Sequence, residues 1–196
     1  MVLAIAIVPV RGTAARRRRR CRAFGFTLIE LMIVVTLVSI LLVIAIPSFR
    51  ELIQRNRVAG EINSFVSDLQ FARSEAIKRG QPVSLCASSD GSTCLGTNTW
   101  NRGWIVFNDV NGSGTRDNVL DVLLRVRNGW VSGDTFAATP TLTSLTYGRE
   151  GFAVIPGGTV TMPLRTSPLN SNATRCVAIN RVGRQIVQSP GSGACT

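Results

Sequence analysis

Residues 26–46 are apolar except for Thr27, Glu30, Thr36 and Ser39, and no turn-forming residue interrupts them. In a helix rising about 1.5 Å per residue, such a run spans about 30 Å, the thickness of a bilayer's hydrocarbon core. The pattern predicts a membrane-crossing helix that carries one carboxylate. Glu30 then costs about 2–4 kcal/mol on insertion, and charges in such positions mark a pairing partner or a pathway. The plainer alternative is an anchor helix whose Glu30 reaches back toward the headgroups.

Pro47 follows the run and bends a helix by removing one hydrogen bond. Beyond it Phe49, Leu52, Ile53, Ala59, Ile62, Phe65, Val66, Leu69, Ala72 and Ala76 recur at three- and four-residue spacing, while Arg50, Glu51, Arg57, Glu61, Asp68, Arg73 and Glu75 take the other side. This is the pattern of a helix with one covered face. Lys78 and Arg79 suit the negative end of the helix dipole, and Gly80 with Pro82 stops the element. A single helix from about 27 to 79 would be about 80 Å long; a membrane anchor followed by a separate amphipathic helix is the alternative.

From Gln81 onward the period changes to that of strands. Candidates are Pro82–Cys86, Gly103–Phe107, Val119–Arg127, Ser144–Tyr147, Gly158–Leu164, Arg175–Asn180 and Arg184–Val187, each bounded by Gly, Pro, Asn or Ser. Gly103–Phe107 and Val119–Arg127 are placed to pair as a hairpin, with Leu120, Val122, Leu124 and Val126 on one face. Trp104 and Phe107 fall on opposite faces of their strand. The expected fold class is α+β, with one small core of antiparallel sheet, a C-terminal β domain, resting on the apolar face of a long N-terminal helix. The chain divides into 1–25, a basic leader; 26–46, the membrane part of the helix; 47–80, its amphipathic part; and 81–196, a β-rich domain too small for two cores.

Charge sets the orientation. Arg11, Arg16 to Arg20 and Arg22 precede the apolar run, whereas Arg50, Arg55 and Arg57 follow it with Glu51 between them, so the N-terminus should stay cytosolic. Ile44-Ala45-Ile46-Pro47 offers no clear site for an ordinary signal peptidase, and the small residue Gly25 sits before the run instead. The formal charge of +11 would suggest nucleic acid or anionic lipid as a partner. A cut at Gly25 removes seven of the 22 basic residues and none of the 11 acidic ones, leaving a mildly basic +4.

Cys21 lies in the leader, and Cys86, Cys94, Cys176 and Cys195 remain, an even set suited to an oxidising compartment. Three pairings are possible, and proximity favours Cys86 with Cys94 and Cys176 with Cys195. The absence of His and of any Cys-x-x-Cys argues against a metal site in these thiols. Asp109, Asn111, Ser113 and Asp117, with Gly114 at the sixth place, mimic the spacing of a calcium loop, but Leu120 stands where a bidentate Glu is needed. A polar hairpin loop is the plainer reading. With no His, a single Lys and no nucleophile elbow, acid–base or triad catalysis lacks its parts, and neither an enzyme nor a cofactor is expected.

Arg22-Ala23-Phe24-Gly25 followed by Phe26-Thr27-Leu28-Ile29-Glu30-Leu31 resembles the processing site of type IV pilins and pseudopilins. The resemblance implies that a prepilin peptidase and N-methyltransferase cuts after Gly25 and methylates the new N-terminus at Phe26. It implies too that Glu30, fifth in the mature chain, attracts the terminal amine of a neighbouring subunit during filament assembly. Leaders in that family are short, so the apolar Met1–Val10 suggests a translation start placed too far upstream. The segments Leu85 to Gly91 with Cys94, and Trp100 to Asp109, resemble the globular domain of the GspH/FimT group of minor pilins and pseudopilins. That resemblance implies that the α+β fold is pilin-like, with other pilins and inner-membrane lipid as partners, and a bacterial single-pass inner-membrane protein with a periplasmic domain that enters a pilus or pseudopilus. The machine is either type II secretion or the type IV pilus. DNA is a further candidate partner: DNA-binding members carry Gly-Arg-x-Arg, of which Gly183-Arg184-Gln185-Ile186 keeps one arginine, with Arg175, Arg181 and Arg165 expected nearby as phosphate contacts.

Overall fold

The computed structural model describes residues 25–193 and Cys195; the leader's arginines, Cys21 and Met1–Val10 lie outside the described residues. Helix α1 (Leu28–Arg79) is one continuous element of 52 residues that runs through Pro47. Thr27 caps it, its Oγ1 accepting from the Glu30 N–H at 3.3 Å. Gly80 ends it at φ +63°, a left-handed conformation that frees the chain to turn into the first strand.

The chain divides into two compact units, the first ending at Val43 and the second covering Ile44–Thr196. In the first, every described side chain is exposed. The second contains the rest of α1 and, among the described residues, nine strands: β1 (Val83–Ala87), β2 (Gly103–Asn108), β3 (Leu123–Asn128), β4 (Thr135–Phe136), β5 (Ser144–Tyr147), β6 (Ala153–Val154), β7 (Thr159–Arg165), β8 (Arg175–Asn180) and β9 (Gln185–Gln188). They form two antiparallel sheets, ordered β3-β2-β1-β5-β6 and β4-β7-β8-β9. The antiparallel β domain expected from the sequence is thus built as two sheets. The Pro156-Gly157-Gly158 turn, with both glycines at positive φ, carries the chain from β6 into β7 of the second sheet.

Val58, Ile62, Phe65, Leu69, Ala72 and Ala76 of α1 share one core with Leu85, Trp104 and Leu145 of the first sheet and Val160, Met162 and Val177 of the second. Phe65 sits at its centre, edge-on to Phe136, Trp104 and Trp100 with centroids 4.9, 5.2 and 5.7 Å away. The other face of the first sheet holds a smaller cluster of Cys86, Ile105 and Phe107, so Trp104 and Phe107 do part company. The apolar stripe read from the helix is covered only from Val58 on. Phe49, Leu52 and Ile53 stay exposed, because the sheets do not reach that part of α1, and Ala59, next to the buried Val58, is exposed on the helix's other side.

Two further expectations need correction. Asp68, placed by periodicity on the solvent side, is fully buried. Arg125 Nη1 donates to its Oδ1 at 2.6 Å, Arg127 Nε to its Oδ2 at 2.7 Å, and the Trp104 indole N–H to the same oxygen at 3.0 Å. Burial alone would raise its pKa, but the donors on Arg127, Arg125 and Trp104 outweigh burial and hold it below the usual carboxylate range. Second, the strand expected from Val119 begins only at Leu123, leaving Val119, Leu120 and Val122 exposed in a turn. The Asp117 and Asp121 carboxylates accept from the backbone N–H groups of Val119 and Asp117, both at 2.8 Å, and hold that turn closed.

Candidate functional site

Two places collect the residues singled out by the sequence: the start of α1 and the turn between β8 and β9. At the first, Phe26 is 81% exposed and precedes the helix. Thr36 and Ser39 return their hydroxyls to the carbonyls of Ile33 and Val35 at 2.8 and 2.7 Å, so their polarity is satisfied within the helix. Among the described residues, none donates to the exposed Glu30 carboxylate. Thr27-Leu28-Ile29-Glu30 also has the spacing of a helix capping box, which places Glu30 at the positive end of the helix dipole.

At the second place the candidate arginines separate. Arg181 and Arg184 stand exposed in the β8–β9 turn. Arg175 begins β8, about 20 Å away along a strand rising 3.3 Å per residue, and donates from Nη1 to the carbonyls of Asn172 and Thr174 at 3.2 and 2.8 Å. Arg165, at the end of β7, lies beside Arg175 rather than near the turn, since Leu164 pairs with Arg175. In their place comes Arg73 of α1, whose Nη1 donates to the Gly183 carbonyl at 3.2 Å. The Arg181 carbonyl accepts from Ala153 N–H at 2.9 Å, which brings up the β5–β6 turn with the Arg149–Glu150 ion pair. Gly183 makes this approach possible. It lies at φ +80°, and a Cβ there would sit 2.6 Å from the Gly151 carbonyl oxygen.

The calcium-like loop is a self-capped turn. Asp109 is buried and accepts from Ser84 Oγ at 2.6 Å, Gly114 N–H at 2.8 Å and Ser113 N–H at 2.9 Å. Asn111 accepts from Ser113 N–H and Asp117 from Val119 N–H. The oxygens thus face N–H and O–H donors, and among the described residues no group of three or more His, Cys, Asp or Glu is placed to hold a metal ion. Cys86 is bonded to Cys94 and Cys176 to Cys195, each pair with Cα atoms 5.5 Å apart. The second bond ties the C-terminal segment to β8.

The family model described as Type II transport protein GspH matches residues 61–183, a stretch that includes Asp68 and ends at the Gly183 turn. The chain belongs to the GspH family. A second match, to the prokaryotic N-terminal methylation motif, covers residues 20–46. This GspH-family chain is 44% identical over 59 residues to a fimbrial protein of Pseudomonas aeruginosa, which is 30% of the chain and 38% of that relative. To the type IV major fimbrial protein FimA of Dichelobacter nodosus it is 38% identical over 72 residues, 37% of the chain and 42% of FimA. The chain spans about two fifths of the length of these relatives. The crystal structure of the type IV minor pilin FimU of Pseudomonas aeruginosa superposes with a TM-score of 0.56 at 24% identity, covering 71% of this chain and 92% of FimU. A second crystal form gives a TM-score of 0.51 at 25% identity, covering 70% and 94%. The fold is therefore the pilin fold, a long apolar N-terminal helix followed by antiparallel sheets, and the GspH-family chain is a type IV pilin-like structural subunit.

Proposed function

We propose that this chain is a minor subunit of a type IV filament machine, either the pseudopilus of type II secretion or a type IV pilus. A prepilin peptidase cuts after Gly25 and methylates Phe26. Residues 26–46 anchor the product in the inner membrane with the N-terminus cytoplasmic and residues 81–196 periplasmic. The observation that carries this reading is Glu30, an exposed carboxylate without a donor among the described residues, the fifth residue past the cut in a largely apolar run. A carboxylate desolvated in lipid gains most from a cation at the same depth, and the amine of a neighbour's Phe26 supplies one. Glu30→Gln keeps the size and polarity of the side chain and loses the charge. Both Glu30→Gln and Glu30→Ala should be processed and folded but absent from sheared filaments. Incorporation of Glu30→Gln at the parental level would sink the assembly role.

A second reading is DNA capture, favoured by the convergence of Arg73, Arg181 and Arg184 on one turn, beside which Glu150 is taken by Arg149. Contacts to a few phosphates give binding that is sequence-independent and weakens with salt. Full-length protein in micelles should bind duplex DNA with a salt slope that falls by about one for Arg184→Ala. Affinity unchanged from low to physiological salt would remove this reading.

A further inference from the structure

The β7–β8 loop folds back toward α1 and leaves a cleft of about 550 Å³, whose walls include Ile46, Arg50 and Gln54 of the helix and Leu169, Asn170 and Asn172 of the loop. One side is closed by Asn170, whose Nδ2 donates to Gln54 Oε1 at 3.0 Å and whose N–H is held by Thr166 Oγ1 at 2.8 Å. The charges that line the cleft, Arg50 and Glu51, balance, but only Arg50 lacks a partner among the described residues. Glu51, which also lines it, is taken by Arg55 at 2.6 Å, and among the described residues no carboxylate pairs with Arg50. The rest of the lining is mixed, with Gln54, Ser171 and Asn172 among its polar residues and two exposed apolar side chains, Leu169 at 73% and Ile46 at 47% exposure. Ile46 is also the last residue of the membrane-length run.

These observations meet in one ligand chemistry. We propose that the cleft holds the headgroup phosphate of a membrane phospholipid. Arg50 pairs with the phosphate, the Asn172 side chain donates to it, and Leu169 and Ile46 cover the first acyl carbons. The proposal rests on residues 26–46 crossing a bilayer, because only then does a cleft containing Ile46 stand in the headgroup layer. A free phosphate would satisfy Arg50 equally, but it would leave Leu169 in water. A neighbouring subunit would need a carboxylate facing Arg50.

The test uses full-length protein in a sugar-headgroup detergent, mixed with short-chain phosphatidylglycerol and examined by native mass spectrometry. One retained lipid is expected. Arg50→Gln should lower its occupancy about fivefold, the effect of one basic residue near an anionic headgroup, while the remote Arg149→Gln leaves it unchanged. Leu169→Asp should lower it as well, and circular dichroism with intact disulfides checks that each variant is folded. Inorganic phosphate and glycerol phosphate should neither be retained nor displace the lipid; displacement by either would overturn the lipid in favour of a free anion. Equal lipid retention by the parent and Arg50→Gln, or none by the parent, overturns the proposal outright. The underlying anchor reading fails separately, if the full chain does not sediment with phosphatidylglycerol vesicles.

Discussion

Trp104 donates its indole N–H to Asp68 at 3.0 Å across the join between α1 and strand β2, and both side chains are buried. The same carboxylate takes Arg125 and Arg127 from β3, with Arg125 also lying 3.9 Å above the Phe71 ring. One acid thus pins the helix to two neighbouring strands. The two arginines are part-exposed and can turn to water, whereas the Trp104 N–H has no such escape. Asp68→Ala should therefore cost about 2–4 kcal/mol by urea denaturation, mostly as an unsatisfied buried donor. Asp68→Asn, whose amide oxygen still accepts from Trp104, should cost clearly less. Equal losses would shift the credit from the indole to the ion pairs. Because the folded-state pKa lies below 3.8, this stabilisation is full above that pH and disappears as acid titrates the folded carboxyl.

Glu61 behaves in the opposite sense. Burial, and then the charge of Asp134, push its pKa above 4.5, against smaller help from Ser132 and Arg57. Its Oε2 is buried with no donor, and Asp134 already holds Arg57 at 2.8 Å. The ionised form is thus less favourable in the folded chain than in the unfolded one. Stability should be greatest below the unfolded value and fall as pH rises through the raised folded pKa. Glu61→Gln should raise Tm at pH 7 and match the parent below about pH 4 by differential scanning calorimetry. A lower Tm at pH 7 would contradict this account.

Gly183 joins the arginine-bearing turn to the rest of the domain. Alanine there meets the Gly151 carbonyl at 2.6 Å and a positive φ of 80°, so Gly183→Ala should cost about 2 kcal/mol or more. The strain falls where Arg73 reaches the Gly183 carbonyl. The variant should also lose amide-exchange protection at Arg181 to Gly183, and unchanged exchange there would show that the turn accommodates the methyl group.

Sequence alone determined the parts governed by neighbours in the chain. The apolar run with Glu30, the end of the helix at Gly80, the strands at Gly103, Ser144 and Arg175, and the nearest-neighbour cysteine pairs all rest on local periodicity, turn chemistry or short separation. The processing motif was legible for the same reason. Tertiary structure decided what depends on distant partners. Periodicity puts an aspartate on the solvent side by default, and only the arrival of Arg125 and Arg127, 57 and 59 residues away, makes the burial of Asp68 tolerable. Arg73 joins Gly183 across 110 residues, while Arg175, close to it in sequence, is carried to the other end of β8. Alternation along a strand reports which residues face inward and not which sheet the strand joins, so the division into two sheets was settled by packing. The exposed stretch of α1 from Phe49 to Ile53 follows likewise from where the sheets stop, a length that helix periodicity does not encode.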